Sequence, residues 1–199
     1  MGRPRTFDED QVIEAARGQF WQTGYHGTSV GDLARATGLG KGSLYGAFGD
    51  KHQLFVRIFD EYCRNAERGA LAMVDGPEDQ ALERAHAWLL ATASHSDTRG
   101  CLLAKGTAEL SEGDHEIADR AAATFRALQD ACTDLIEQAQ RAGDVDPEAD
   151  ARALGGQILA TQRGIEALGK GGVDAATLTG IADAAIDGMR LRLAAQLSS

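Results

Sequence analysis

Residues 27–51 read GTSVGDLARATGLGKGSLYGAFGDK, a stretch whose spacing is typical of two short helices joined by a tight turn. In the first helix, the small Ala34 leaves room for a second helix to cross closely. Gly38 follows four residues later, where its freedom to adopt a positive φ lets it end a helix sharply. The second helix spans roughly residues 41–48. The pattern therefore predicts a helix-turn-helix, whose second helix can enter a groove of DNA.

The side chains of these two helices divide into a buried and an exposed set. The apolar positions that we expect to be buried are Val30, Leu33, Leu39, Leu44 and Phe48. The positions of the second helix that we expect to face outward are Lys41, Gly42, Ser43 and Tyr45. A hydroxyl of Thr28 or Ser29, with Asp32 as its counterpart, should cap the first helix, because the free backbone N–H groups there need an acceptor.

The formal net charge of this 199-residue chain is −10, and the charge is unevenly distributed. Residues 1–57 contain 7 Lys and Arg against 6 Asp and Glu, whereas the remainder contains 13 against 24. A DNA-binding surface needs positive charge to displace counterions from the phosphates. The nearly neutral N-terminal part is therefore the candidate for DNA binding, and the acidity belongs to the rest of the chain.

Several classes of protein do not fit this sequence. Because no run of about 18 apolar residues is present and the first ten residues lack an apolar segment, we expect a cytoplasmic protein with no membrane partner. Three widely spaced cysteines, Cys63, Cys101 and Cys132, suit neither a disulfide framework nor a zinc knuckle. His115 and Asp119 lie one helical turn apart, but two ligands do not make a site, so no metal or other cofactor is expected. No catalytic motif is present, so an enzyme is not expected either.

Helical periodicity continues along the chain and predicts an all-α protein of about nine helices. The first helix should cover about residues 8–22, with Thr6 and Glu9 as a capping box and Gly24 as its end. Later helices are expected at residues 51–73, 78–94, 101–110 and 114–142. A turn at residues 143–147 then precedes two final helices with apolar stripes.

Over about residues 6–66 the sequence resembles the TetR/AcrR family of one-component transcriptional repressors. The segments that carry the resemblance are AARGQFWQTGYHGTSV at 15–30, Asp32-Leu33-Ala34, KGSLY at 41–45, Phe48, and Asp50-Lys51 followed by Leu54 and Phe55. The resemblance implies an N-terminal three-helix DNA-binding domain over residues 6–66, with the helix-turn-helix at about 29–48. It also implies a C-terminal helical domain over residues 67–199 for ligand binding and dimerisation.

The same resemblance implies the partners and the residues that contact them. The chain should form a homodimer, bind a two-fold operator in double-stranded DNA, and release it when a small-molecule inducer binds. The residues that should face the major groove or its flanking phosphates are Lys41, Gly42, Ser43 and Tyr45. Phosphates should also be held by Thr28 and Lys51. The N-terminal Arg3 and Arg5 should reach a minor groove.

The sequence departs from the family pattern in two places. Gly40 stands where a serine often caps the recognition helix, and Gly46-Ala47 stands where an aromatic or histidine pair is common. Glycine is tolerated at an N-cap, so the helix should still form. Fewer side chains remain to specify the base sequence, so we expect few direct contacts between side chains and bases.

The apolar residues of the C-terminal part supply candidates for a ligand pocket and for a dimer interface, although most are expected simply to be core. The pocket candidates are Trp88, Leu89, Cys101, Leu102, Leu103, Phe125, Leu128 and Ile158. The interface candidates are Leu154, Ile158, Ile165, Leu178, Ile181, Ala185, Ile186 and Met189. Acidic residues inside this part would favour a cationic ligand, the candidates being Glu109, Asp130 and Glu166.

Two alternatives stay open. In the first, the chain is a redox- or electrophile-sensing repressor that acts through Cys101, with His95, Arg99 and Lys105 near enough in sequence to stabilise a thiolate. The competing interpretation of Cys101 is a buried, inert thiol. In the second, the chain is a helical interaction module or an enzyme on a bundle scaffold, and its N-terminal part serves only in dimerisation.

Overall fold

Helices make up the regular structure of this chain in the computed structural model, which describes residues 7–94 and 100–190. The α-helices of these ranges are α1 (Glu9–Thr23), α2 (Val30–Thr37), α3 (Lys41–Phe48), α4 (Lys51–Val74), α5 (Ala81–Ser94), α6 (Leu102–Leu110), α7 (His115–Ala142), α8 (Ala151–Lys170) and α9 (Ala175–Asp187). A short 3-10 helix at Glu78–Gln80 precedes α5. The prediction of an all-α fold is confirmed. Among the described helices, none has both the length and the apolar character needed to cross a membrane.

The ends of α1 are set by Asp8 and Gly24. The Asp8 carboxylate accepts hydrogen bonds from the N–H groups of Asp10 and Gln11, at 3.0 and 3.3 Å. Asp8 is therefore the N-cap, and the prediction of a capping box at Thr6 is wrong; Thr6 itself lies outside the described residues. Gly24 ends the helix as predicted, with φ at +77°. The buried side chains of this helix are Val12, Ile13, Ala16 and Phe20.

One compact unit contains the described residues up to Asn65 together with Cys101–Ala123. Its centre is a cluster of aromatic rings in which Phe20 lies edge-on to Phe55, with ring centroids 5.1 Å apart. Phe59 continues this cluster, and Gly106 of α6 packs directly onto it, because a Cβ at Gly106 would lie 2.4 Å from the Phe59 ring. Residues 101–123, predicted to belong to the C-terminal domain, thus pack with the N-terminal helices.

The second compact unit contains the described residues of Ala66–Gly100 and those from Thr124 onward. Large side chains from α5, α7 and α8 fill its core and are completely or almost completely buried: Leu82, Leu89, Leu135, Ile136, Ile158 and Ile165. Helices α7 and α8 cross closely at Gly155, where a Cβ would lie 2.6 Å from the Thr133 nitrogen. The close crossing of α7 and α8 therefore requires a glycine at position 155.

The predicted dimer interface is wrong for most of its residues. Five of them are buried in the core of their own chain, with at most 7% of their surface exposed: Ile158, Ile165, Leu178, Ile186 and Met189. Leu154, Ile181 and Ala185 are partly buried and pack against the same core. The physical reason is that an apolar stripe of a helix packs first within its own chain. By contrast, 43% of the surface of Leu168 on α8 is exposed.

Candidate nucleic-acid interface

Helix α2 begins with a reciprocal pair of hydrogen bonds between Ser29 and Asp32. The Ser29 hydroxyl oxygen accepts from the Asp32 N–H at 3.1 Å, and the Asp32 carboxylate accepts from the Ser29 N–H at 2.8 Å. This capping box confirms the prediction of a hydroxyl cap and selects Ser29 over Thr28. The Ser29 hydroxyl and then its N–H hold the pKa of the Asp32 carboxyl below its usual value.

The turn between α2 and α3 depends on two glycines. Gly38 adopts the left-handed conformation, with φ at +70°, and ends α2 as predicted. Gly40 is the N-cap of α3 and has extended backbone angles, so the predicted departure from a serine cap does not prevent the helix from forming. Because Gly40 has no side chain, it provides no side-chain hydrogen bond to the first turn of α3. The N–H groups at this helix end carry partial positive charge that an anion can meet.

Helix α3 shows the predicted division into a buried and an exposed face. Leu44 and Phe48 are buried, with 4% and 8% of their surface exposed. The exposed positions are Lys41, Gly42, Ser43, Tyr45 and Gly46. A Cβ at Gly42 or Gly46 would meet no atom within 4 Å. At both positions, therefore, no side chain projects from the exposed surface of α3. Two further positions predicted to be buried, Val30 and Leu39, are only partly so.

Thr28 is placed where it cannot hold a phosphate in this conformation, which contradicts the prediction for it. Only 1% of its surface is exposed. Its hydroxyl donates to the Gly24 carbonyl at 2.6 Å and contacts the Thr23 hydroxyl at 2.8 Å, and its N–H donates to the Tyr25 carbonyl at 3.2 Å. Thr28 therefore fixes the loop between α1 and α2, and the adjacent Ser29 is the exposed hydroxyl.

Lys51, on the first turn of α4, holds the same loop from the other side. Its ammonium donates to the carbonyls of Tyr25 and Thr28, at 3.0 and 2.9 Å, and lies 4.0 Å from the centroid of the Tyr25 ring. An ammonium has three N–H donors, so one donor is left beyond these two carbonyls. The predicted phosphate contact of Lys51 stays a prediction, and the structure adds a positioning role.

Two protein-family models match this chain and together cover most of its length. Residues 12–58 match the model of bacterial regulatory proteins of the tetR family, and residues 80–191 match the tetracyclin repressor-like C-terminal domain. The chain belongs to the TetR family.

Other proteins similar to this TetR-family chain include repressors and solved structures. The HTH-type transcriptional repressor ComR of Escherichia coli K12 is 30% identical over 159 residues, which cover 77% of this chain and 75% of ComR. A TetR transcriptional regulator from Chloroflexus aurantiacus shares the fold, with a TM-score of 0.80 at 24% identity, over 92% of this chain and 96% of that one. A cysteine mutant of the TetR-family regulator CifR, complexed with 26-base-pair operator DNA, has a TM-score of 0.75 at 28% identity, over 94% and 100% of the two chains.

Two residues of α6 hold the end of α1 and the α1–α2 loop of this TetR-family protein, a role that the sequence does not indicate. The Lys105 ammonium donates to the carbonyls of Trp21 and Gln22 at the end of α1. The Glu109 carboxylate accepts from the His26 N–H at 2.8 Å. These partners are more than 80 residues apart in sequence, so no local pattern indicates them. The prediction of Glu109 as a ligand-attracting group is not supported, because its carboxylate binds the backbone of the α1–α2 loop.

The pocket candidates are placed in both compact units. Cys101 and Leu102, both buried, belong to the first unit. Leu89, Leu128 and Ile158 are buried in the second unit, where Trp88 and Phe125 are partly buried. Leu103 is buried in the first unit. Their role as a ligand pocket stays a prediction.

Of the three groups expected to activate Cys101, only Lys105 lies within the described residues. Only 6% of the surface of Cys101 is exposed, and the Tyr62 hydroxyl donates to its sulfur at 3.5 Å. Lys105 donates to the end of α1, as described above. His95 and Arg99 lie outside the described residues, as do Arg3 and Arg5 of the predicted N-terminal arm.

Proposed function

We propose that this protein is a repressor that binds a two-fold operator in double-stranded DNA as a homodimer and leaves it when a small molecule binds. The observation that carries the proposal is the surface of α3. One face of this helix is buried, and the other is exposed and has no side chain at Gly42 and Gly46. A helix with this surface can lie close to a DNA groove. The repressors among its relatives, and the operator complex of CifR, support this assignment.

The contacts with DNA follow from the exposed positions. We assign Lys41, Ser43 and Tyr45 to the major groove and its edges, because they are the exposed polar side chains of α3. Gly42 permits close approach of the DNA backbone to the first turn. The third N–H donor of Lys51 is assigned to a phosphate. Arg3 and Arg5 are retained as candidates for a minor groove.

The second copy is assigned to the outer faces of α8 and α9, since the inner faces are occupied by the core. These outer faces carry mostly small exposed residues, which let two pairs of helices approach closely: Ala153, Ala160, Ala167, Leu168, Ala176, Gly180 and Ala184. Pairing by a two-fold axis would place two copies of α3 about 34–36 Å apart, or at a multiple of that spacing.

Release by an inducer requires that the ligand bind one arrangement of the dimer better than the other. A compound with equal affinity for the DNA-binding and the non-binding arrangement shifts no population. We retain the pocket candidates of the second unit, with the partly buried Trp88 as the residue whose indole N–H can orient a ligand. The thiol-sensing alternative has less support, because Cys101 is buried and Lys105 is bound elsewhere.

The test is a titration of fluorescent duplexes that tile the region upstream of the coding sequence, followed by anisotropy at several salt concentrations. We expect one duplex to bind with an affinity that falls as salt rises, and Lys41→Ala to weaken it. Lys170→Ala is the matched control, since Lys170 is an exposed lysine at the end of α8. If no duplex binds in a salt-dependent manner, the proposal fails and the helical interaction module is favoured.

A further inference from the structure

The first compact unit, which contains the helix-turn-helix, has an excess of negative charge. Its described residues include 8 Lys and Arg against 13 Asp and Glu, a balance of −5. Neutralisation of phosphates by Lys and Arg supplies much of the affinity of a protein for DNA. The surface that meets an operator therefore needs a source of positive charge that this unit as a whole does not provide.

Most of the basic side chains of this unit are already bound within it. Five arginines pair with carboxylates: Arg17 with Glu14, Arg35 with Asp32, Arg57 with Glu9, and Arg64 and Arg120 with Asp60. Lys51 and Lys105 donate to backbone carbonyls. Arg64 and Arg120 share one carboxylate, but Arg64 lies about 20 Å along α4 from Lys51. The remaining basic residue, Lys41, has no such partner among the described residues.

Two further arginines precede the described part of the chain. Residues 2–6 read GRPRT, contain Arg3 and Arg5, and include no acidic residue. We refer to residues 2–6 as the N-terminal arm. Phe7, the first described residue, packs against Phe48, the last residue of α3, with ring centroids 6.3 Å apart. The arm is therefore attached to the protein beside the end of α3.

The contact between Phe7 and Phe48 is supported from α1 and α4. The guanidinium carbon of Arg57 on α4 lies 5.7 Å from the centroid of the Phe48 ring. Arg57 also pairs with Glu9 in the first turn of α1, at 2.6 Å. This pair neutralises a carboxylate close to the point of attachment. The start of α1, the end of α3 and α4 thus meet around the Phe48 ring, which fixes where the arm begins relative to α3.

The arm is long enough to reach the minor groove next to α3. An extended chain spans at most about 3.3–3.6 Å per residue, so the Cα atoms of Arg5 and Arg3 can lie up to about 7 and 14 Å from that of Phe7. The minor groove adjoins the major groove across one sugar-phosphate backbone. Arginine is favoured in a narrow minor groove, such as that of an A-tract, because its negative potential is enhanced.

We propose that the N-terminal arm is the main source of positive charge at the operator, and that Phe7 anchors it against Phe48 so that Arg3 and Arg5 enter the adjoining minor groove. The arm then adds a preference for A·T pairs beside each half-site, which compensates for the few side chains on α3. Phe7 is a positioning residue, since it acts through the two arginines. This inference rests on the proposed function.

The charge of the arm is tested by the dependence of operator affinity on salt, with the full-length protein and the duplex that it binds. Arg3→Gln plus Arg5→Gln should flatten the slope of log affinity against log salt about twice as much as Lys41→Ala does, and should lower affinity about tenfold or more. The control is Arg141→Gln plus Arg152→Gln, which removes the same charge from exposed, paired arginines of the second unit. An arm variant with the slope of the wild-type protein would overturn the proposal.

The groove that the arm enters is tested with duplexes whose pairs beside each half-site are set to A·T, inosine·C or G·C. Inosine·C keeps the minor-groove surface of A·T, whereas G·C adds an amino group there. We expect inosine·C to bind within about twofold of A·T and G·C to bind about fivefold more weakly, and only while Arg3 and Arg5 are present. Equal losses on inosine·C and G·C would contradict entry into the minor groove.

The role of Phe7 is tested by its coupling to the arginines. Phe7→Ala should lower affinity nearly as much as loss of Arg3 and Arg5, and Phe7→Leu, which keeps an apolar contact, should restore most of it. Within Phe7→Ala, the further loss of both arginines should cost less than about twofold. A full cost of the arginines in this background would show that Phe7 only packs, and would overturn the anchor.

A second variant tests the anchor without changing Phe7. Insertion of Gly-Ser-Gly-Ser between Thr6 and Phe7 keeps the ring contact but detaches the arginines from a fixed starting point, so affinity should fall about threefold or more. Urea unfolding shows whether each variant is folded under the assay conditions. An insertion that leaves affinity unchanged would contradict the anchor. If the wild-type protein binds no duplex, the proposed function fails; binding that is indifferent to the arm overturns this inference alone.

Discussion

Ser29 determines how α2 begins, because its hydroxyl and its N–H both take part in the capping box with Asp32. Ser29→Ala should lower the free energy of unfolding by about 1 kcal/mol, as expected for loss of an N-cap. Urea denaturation measures this change. Ser43→Ala is the control, since Ser43 is exposed on α3 and its loss should leave stability unchanged while altering operator preference. Equal stability of both variants would show that the cap is unimportant.

The same cap gives a pH dependence whose direction is fixed. The pKa of Asp32 is lowered in the folded protein, chiefly by the Ser29 hydroxyl. A carboxyl with a lowered pKa contributes stability above its unfolded pKa and loses it as pH falls through the folded one. Part of the acid sensitivity below about pH 4 should therefore disappear in Ser29→Ala.

Lys51 has a structural role in holding the α1–α2 loop and a proposed role in DNA binding, and experiment can separate the two. Lys51→Ala should lower the free energy of unfolding by about 1 kcal/mol, because the carbonyls of Tyr25 and Thr28 lose their charged donor. It should also weaken binding to every duplex and reduce the salt slope by about one unit. Lys41→Ala, on the exposed face of α3, should change sequence preference without changing stability. An unchanged salt slope in Lys51→Ala would remove Lys51 from the phosphate contacts.

At the residue level, what could be predicted depended on sequence distance. Ser29 and Gly38 act on neighbours within a few positions, so their roles follow from local spacing. Thr28 is an exception: its contacts with Gly24 and Thr23 are also local, but its residue type suggested a phosphate contact and gave no sign that the loop would bury it. Glu109 binds the His26 N–H across 83 positions, which no local pattern indicates.

Helix α3 carries two glycines whose removal separates stability from DNA binding. Neither Gly42 nor Gly46 has a positive φ, and a Cβ would meet open space at both. Gly42→Ala and Gly46→Ala should each raise the free energy of unfolding by up to about 1 kcal/mol, because alanine favours helix. Only Gly42→Ala should lower operator affinity, since Gly42 lies in the first turn of α3, which we propose approaches the DNA backbone. Thermal denaturation and anisotropy test both, and full affinity in Gly42→Ala would contradict the close approach.

The outer face of α8 should hold the second copy of the chain. Leu168→Glu should raise the dimer dissociation constant about tenfold or more, because a carboxylate would be buried between the two copies. Leu71→Glu is the control, since Leu71 is an exposed leucine on α4, outside the assigned interface. Sedimentation velocity over a range of concentrations measures the change. A dimer equally stable in both variants would place the interface elsewhere.

The helices could be predicted from the sequence because their apolar residues are regularly spaced. Periodicity identifies the apolar stripe of α8, but it does not say whether that stripe meets the same chain or another one. Ile158 and Ile165 were assigned to a partner and instead fill their own core. Only the three-dimensional arrangement of α5, α8 and α9 distinguishes the two cases.

At the scale of the whole molecule, the N-terminal helices were predictable in detail and the C-terminal ones only as an all-α region. The fold of the helix-turn-helix is determined by local turn and cap residues such as Gly38 and Ser29. The boundary of its unit depends on long-range packing, as Gly106 against Phe59 shows.

The central claim is that α3 enters the major groove of an operator twice, once from each copy of a dimer. Dimethyl sulfate footprinting of the bound duplex tests it most directly, because this reagent methylates guanine N7 in the major groove. We expect two protected patches with centres about 10–10.5 base pairs apart, or a multiple of that spacing, and loss of both in Lys41→Ala. A single protected patch, or binding that leaves every guanine N7 reactive, would contradict the claim.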